Sequence, residues 1–139
     1  MKAAVSLALL ALAALPGCAS TPQTAGLAAG PAAVTGTVAW RERIMLPPDT
    51  KTIVRLQDVS LADAPAKVLA EDVIDGTRAP PVAFTLAYDP AQIVPNHRYS
   101  VSARVEVDGQ LRFINDTHVA VINDGPTKDV EVLVKGVGR

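Results

Sequence analysis

This sequence predicts an all-β fold, a single small β-sandwich of about seven to eight strands behind a leader and a flexible linker. Three observations carry that expectation. From Val34 onward, apolar residues tend to recur at every second position, the period of a half-buried strand. Turn-forming Pro, Gly and Asp break the pattern at intervals of about 8–12 residues, the spacing of short antiparallel strands. Aromatic residues beyond Val34 are few (Trp40, Phe84, Tyr88, Tyr99 and Phe113), so the core must be mostly Val, Leu, Ile and Ala. About 100 residues are available, enough for one domain that buries roughly two-thirds of its surface.

The elements follow in order. "VTGTVAW" places Val34, Gly36, Val38 and Trp40 on one face. Gly36 weakens a strand interior, and the charged Arg41-Glu42-Arg43 and the breaker Pro47-Pro48 follow. This first strand is therefore expected at or near a sheet edge. "TIVRLQDVS" alternates imperfectly, with Val54, Leu56 and Asp58 opposite Ile53, Arg55, Gln57 and Val59. "AKVLAEDVI" has helical propensity, but it is short and bounded by Pro65 and Asp75-Gly76, and a strand is expected. "VAFTLAY" alternates from Val82 through Phe84 and Leu86 to Tyr88. "YSVSARVEV" is the cleanest case, with Tyr99, Val101, Ala103, Val105 and Val107 facing one way and Ser100, Ser102, Arg104 and Glu106 the other. Asp108-Gly109 then forms a tight hairpin turn, the strongest short-range signal of its kind, into "QLRFIN". "HVAVIN" and "DVEVLVK" complete the set.

In "IVPNHRYSVSA" a proline precedes by four residues a tyrosine that opens a strand. This resembles the tyrosine corner of immunoglobulin-like and fibronectin-like sandwiches, in which the hydroxyl bonds to upstream backbone. A plain buried Tyr99 is the alternative.

The first 40 residues are unlike the rest, with no charge from Ala3 to Trp40. Lys2 and the 12 apolar or small residues Ala3–Ala14 read as a secretory leader. The run is too short to span a bilayer, which takes about 20 apolar residues. It ends in Leu15-Pro16-Gly17-Cys18, and Cys18 is the single cysteine. The stretch resembles the bacterial lipobox, although Pro16 stands where Ala or Ser is commoner. That resemblance implies a diacylglyceryl thioether on Cys18 and cleavage after residue 17. A lone cysteine has no internal disulfide partner, and Cys18 has no neighbours at metal-ligand spacing. Residue Ala19, rather than Asp, favours by the same resemblance the periplasmic face of the outer membrane. Residues 19–33 are small, uncharged and broken by Pro22, Gly26, Gly30 and Pro31, and are expected to act as a tether. A flexible chain of about 16 residues spans roughly 20–25 Å. The expected organisation is a signal peptide at 1–17, the lipidated Cys18 and tether at 18–33, and a β-domain at 34–137.

Several motifs in the β-domain occur in a recognisable order: Arg41-Glu42-Arg43 before Leu46-Pro47-Pro48, Leu56-Gln57-Asp58-Val59-Ser60, Pro80-Pro81 with Phe84, Arg98-Tyr99, and Asp108-Gly109-Gln110-Leu111. In this order they resemble the YbaY/YscW-type bacterial lipoprotein domain over Val34 to Val137. The resemblance implies a β-rich, lipid-anchored protein. The family's secretion-linked members are pilotins, lipoproteins that assist assembly of an outer-membrane secretin ring. The likeness is nearer to the uncharacterised, YbaY-like branch.

Chemistry-bearing residues are sparse. The whole chain has formal charge -1, and loss of residues 1–17 removes only Lys2. That balance gives no basic footprint for nucleic acid. His97 and His118 are the only histidines and show no HxH or HExxH pattern. There is no GxSxG, P-loop or GxGxxG. Five of the aspartates (63, 75, 89, 108 and 124) lie beside turn residues, where Asx hydrogen bonds favour them. Asn115-Asp116-Thr117 fits a glycosylation pattern and is taken as chance. No catalytic residue, metal site or cofactor is expected. The expected function is that of a non-catalytic envelope lipoprotein that binds or assists an envelope or secretion-system protein, with Arg41 and Arg43 available for a partner's carboxylates. The alternatives are a small-ligand or lipid-binding sandwich and an enzyme of unrecognised type.

Overall fold

The computed structural model describes residues 32–138, so Cys18, the leader and nearly all of the expected tether lie outside the described residues. Among the described residues nine strands run in order: β1 (Ala32–Ala39), β2 (Thr50–Asp58), β3 (Lys67–Asp75), β4 (Val82–Tyr88), β5 (Tyr99–Val107), β6 (Gln110–Ile114), β7 (Ala120–Val121), β8 (Val130–Leu133) and β9 (Lys135–Gly136). They form two sheets, one ordered β4-β1-β8 and the other β3-β2-β5-β6-β9, with β7 also paired to β5. The arrangement is the expected all-β sandwich.

The alternating pattern selects the inner faces. Val54 and Leu56 of β2, Val101, Ala103 and Val105 of β5, Val34 and Val38 of β1 and Val132 of β8 are all buried. Each such Val or Leu side chain taken from water contributes roughly 1.5–3 kcal/mol. Trp40 lies just past the end of β1 and stacks on Phe113, with ring centroids 5.5 Å apart. The Asp108-Gly109 turn joins β5 to β6 with both residues in the left-handed region, at φ 51° and 74°. A two-residue turn of this hand matches the strand twist.

The first strand departs from expectation. β1 is the central strand of its sheet, not an edge: it pairs antiparallel with β4 and parallel with β8. Gly36 marks close approach rather than weakness, because a Cβ there would sit 1.9 Å from the Val130 carbonyl oxygen. Local patterning does not reveal this, since the partner strand lies far along the chain.

The segment "HVAVIN" yields only β7, two residues long. Between β6 and β7 the backbone leaves β5, and the side chain of Asn115 takes its place. The Ala103 N–H donates to Asn115 Oδ1 at 2.8 Å, and Asn115 Nδ2 donates to the Thr117 carbonyl at 3.0 Å. The backbone N–H of Val101 then reaches the Val119 carbonyl at 3.0 Å. Asn115 thus serves the sheet as a surrogate peptide group.

The last strands cross between the sheets. Val134 N–H donates to the Ala39 carbonyl at 2.8 Å, on the β1 side, and Val137 N–H donates to Arg112, on the β6 side, at 2.8 Å. On the opposite side, the free edges of β3 and β4 face each other. Asp72 is the inward-facing residue opposite Val54, and its carboxylate accepts the backbone N–H of Thr85 at 2.9 Å. An inward charge on an edge strand discourages further strand pairing.

Candidate functional site

The sandwich has two unlike ends. The chain enters at Ala32, paired with Tyr88, and residues 89–98 lead from Tyr88 to Tyr99. The other end carries residues 41–49, a strap crossing from β1 in one sheet to β2 in the other.

The strap is not strand because Pro47 and Pro48 offer no N–H to a ladder. It is nonetheless held firmly. Leu46 is buried, and its N–H donates to the Arg78 carbonyl at 2.8 Å. The Pro47 carbonyl accepts the Thr50 N–H at 3.2 Å and the Thr50 hydroxyl at 2.7 Å. With Leu46 turned inward, Ile44 and Met45 are left 43% and 69% exposed. They line an open groove of about 500 Å³ with Leu46 and Pro47 on one side and Val107, Asp108, Gln110 and Arg112 of the β5–β6 hairpin on the other.

A second groove, about 420 Å³, is lined by Arg41, Glu42, Thr117, Leu133, Val134 and Lys135. Glu42 Oε1 accepts the outward N–H of Gly136 at 3.4 Å, a long bond. Lys135 Nζ donates to Asp116 Oδ2 at 2.9 Å. That bond, and a further one from Thr117, hold the Asp116 carboxyl below its ordinary value. Arg43 is exposed on the strap and falls in sequence between the residues that line the two grooves, lining neither itself.

At the entry end, Asp58 organises a polar cluster. Its Oδ2 lies 2.6 Å from His97 Nδ1, and its Oδ1 accepts from the Ser60 N–H at 3.0 Å and the Ser60 hydroxyl at 2.5 Å. Desolvation raises the Asp58 pKa, but hydrogen bonds from Ser60 and His97 outweigh it and hold the carboxyl below its ordinary value. The Ser60 hydroxyl donates to the carboxylate rather than to the imidazole, so the trio is not a nucleophile–base relay. Ser60 Oγ also accepts the Arg98 N–H at 2.8 Å. Asn123 Nδ2 donates to the carbonyls of Val94 and His97, each at 2.9 Å. The buried Tyr99 hydroxyl accepts the Val94 N–H at 2.9 Å. The cluster therefore ties the loops at this end to β2 and β5.

Among the residues singled out from the sequence, Arg41 lines one groove and Asp108 the other, and Arg43 lines neither. Gly109 shapes the hairpin, and Tyr99 lies at the opposite end. Sequence reasoning missed Ile44 and Met45. Their signal is an apolar pair beside Leu46 in a segment that the two prolines keep out of a strand. It also missed the Asp58–His97 contact, which joins residues 39 apart and leaves no local trace. Among the described residues, no group of three or more His, Cys, Asp or Glu side chains is placed to hold a metal ion.

A family model described as "Type III secretion system lipoprotein chaperone (YscW)" matches residues 30–134. The uncharacterized lipoprotein YbaY of Escherichia coli (strain K12) is 46% identical over 103 residues, which are 73% of this chain and 54% of that protein. The chain therefore spans about half the length of that curated relative. The structure of an alternative pilotin from the type II secretion system of Vibrio cholerae is similar, with a TM-score of 0.69 and 49% identity over 76% of this chain and 97% of that one.

Proposed function

The chain belongs to the YscW lipoprotein chaperone family, and on that premise we propose that it is a non-catalytic lipoprotein that assists assembly of a secretion-system or other envelope protein. It is held by lipid on Cys18 at the periplasmic face of the outer membrane. The observation that carries this reading is the likeness of its β-domain, in sequence and fold together, to a pilotin. The site agrees with a binding role. Its groove is open and mostly apolar, with a polar rim and a rigid backbone, as a recognition surface requires. The space between the sheets is occupied by the protein's own fully buried Val34, Val54, Leu56, Leu86 and Val101, which favours a surface partner over an interior ligand.

Deletion of the gene in its host is the test. The outer-membrane secretion complexes should then fall in amount or fail to multimerise, and a Cys18→Ser chain should not restore them. Complexes unchanged in both amount and size after deletion would remove the assembly role. Cys18→Ser protein that stayed in the membrane fraction after a high-salt wash would remove the lipid anchor.

A further inference from the structure

Ile44 and Met45 contribute little to the core, yet the backbone presents them at fixed positions. Leu46 fills the inward position beside them and is 3% exposed. The bonds at Leu46 and Pro47 set the strap's path, so the exposed pair is preorganised rather than loose. An ordered apolar pair over a groove with a polar rim is a mark of an interaction site.

The charge around the pair is also uncommitted. Arg41 and Arg43 belong to the strap, Arg112 to the groove wall, and the Arg78 carbonyl holds Leu46. The ion pairs among the described residues are Lys51–Asp75, Arg55–Glu71, His97–Asp58, Arg104–Glu106 and Lys135–Asp116, and none includes these four arginines. Of the nearby acids, Asp75 is paired with Lys51, while Glu42 bonds only the neutral Gly136 N–H and keeps its charge, so Glu42, Asp49 and Asp108 stand against the four arginines. Free charge at this end is therefore basic. At the entry end the balance reverses, with Asp63, Asp89, Asp124 and Asp129 against Lys67, Arg98 and Lys128.

We propose that the strap and the β5–β6 hairpin dock a protein segment carrying both apolar and acidic side chains. The apolar side chains enter the groove between Met45 and Val107, and the carboxylates meet Arg43 and Arg112. The inference rests on the assembly-assisting role and names the partner chemistry for it. A guanidinium donates two parallel hydrogen bonds to a carboxylate, which fixes register as well as sign. A lipid surface fits less well, because the chain enters the domain from its tether at the opposite, acidic end.

The experiment uses the full chain in detergent micelles and a short synthetic peptide rich in Leu, Phe and Asp. One control peptide has Lys for each Asp, and another has Ser for each Leu and Phe. Trp40, the single tryptophan, is buried next to Arg41 and reports binding by fluorescence, while amide shifts locate it. The acidic–apolar peptide should bind at least about tenfold more tightly than either control. Shifts should centre on Ile44, Met45, Val107 and Arg112. Arg43→Glu with Arg112→Glu should reverse the preference between the Asp and Lys peptides. Ile44→Ser with Met45→Ser should abolish it, and thermal unfolding should confirm that both exposed-site variants are folded. Equal affinity for the three peptides, absence of binding, or shifts confined to another face would overturn the proposal. So would anionic vesicles that shift the strap residues when the peptide does not. None of these results touches the assembly role, which is scored separately by the membrane complexes in cells.

Discussion

Asp72 Oδ2 accepts the backbone N–H of Thr85 at 2.9 Å, so a side chain from the edge of one sheet stoppers the edge of the other. Thr85 pairs with Thr35, whose own N–H points away from β4 to the Thr127 carbonyl. In an antiparallel ladder the Thr85 N–H therefore faces outward. Without Asp72 it would be an open donor on an exposed edge.

Asp72→Ala should cost about 1 kcal/mol, the ordinary worth of such a bond. It should also raise the tendency of the protein to associate through β4. Urea denaturation gives the first quantity and light scattering at rising concentration the second. Asp72→Asn keeps an acceptor and should lie between the two. A fully monomeric Asp72→Ala protein of unchanged stability would show that the bond does not guard the edge.

Asn115→Ala should be more damaging than its position after a short strand implies. It strands the Ala103 N–H inside the larger sheet, and an unsatisfied buried donor costs about 1–3 kcal/mol. Asn115→Asp keeps the acceptor for Ala103 and loses the donor to Thr117, so it should cost less. Amide exchange at Ala103 distinguishes a local from a global effect. Equal stability of both variants would deny the side chain its bridging role.

Gly36→Ala tests the parallel pairing of β1 and β8. The added methyl carbon would meet the Val130 carbonyl oxygen at 1.9 Å, so a strand must move. A loss of about 1–3 kcal/mol or more is expected, the range for a forced overpacking. A tolerated Ala, with intact amide protection at Val132, would contradict the close approach.

The Asp58 carboxyl gives the protein an acid-side weakness. Its folded pKa lies below its ordinary value of 3.8 despite desolvation, because Ser60 and His97 hydrogen-bond to the charged form. A carboxyl lowered in the folded state stabilises fully above its unfolded pKa, and that contribution fades as pH falls through the folded value. Stability should therefore drop as pH falls below about 4. Asp58→Asn, less stable at neutral pH, should show a shallower drop in denaturation midpoint over that range. Parallel curves for the two proteins would assign the acid sensitivity elsewhere.

How much of this was legible in the sequence depended on distance along the chain. The alternation from Tyr99 to Val107 and the Asp108-Gly109 turn are local, and one buried face forces the pattern, so strands and hairpin were readable. The place of β1 was not, because its partners stand opposite Gly36 at Phe84 and Val130. Gly36 viewed alone suggested weakness; viewed against Val130 it is a requirement of packing. The strap was half legible. Pro47-Pro48 and the charges marked an irregular segment with arginines, but which of Ile44, Met45 and Leu46 would turn inward depended on Arg78, far along the chain. Asn115 offered only a glycosylation-like triplet and no sign of its structural duty.

The central position of β1 has a consequence for the order in which the chain acquires its shape. A ribosome delivers β1 first among the strands and β8 nearly last. Until the C-terminal residues exist, the strand that holds one sheet together lacks a neighbour, and no shorter nascent chain can complete that sheet. Pairing of such distant segments is slow, because the entropy of closing the long loop must be met before the contacts form. Loss of the last few residues should therefore be felt at the first strand.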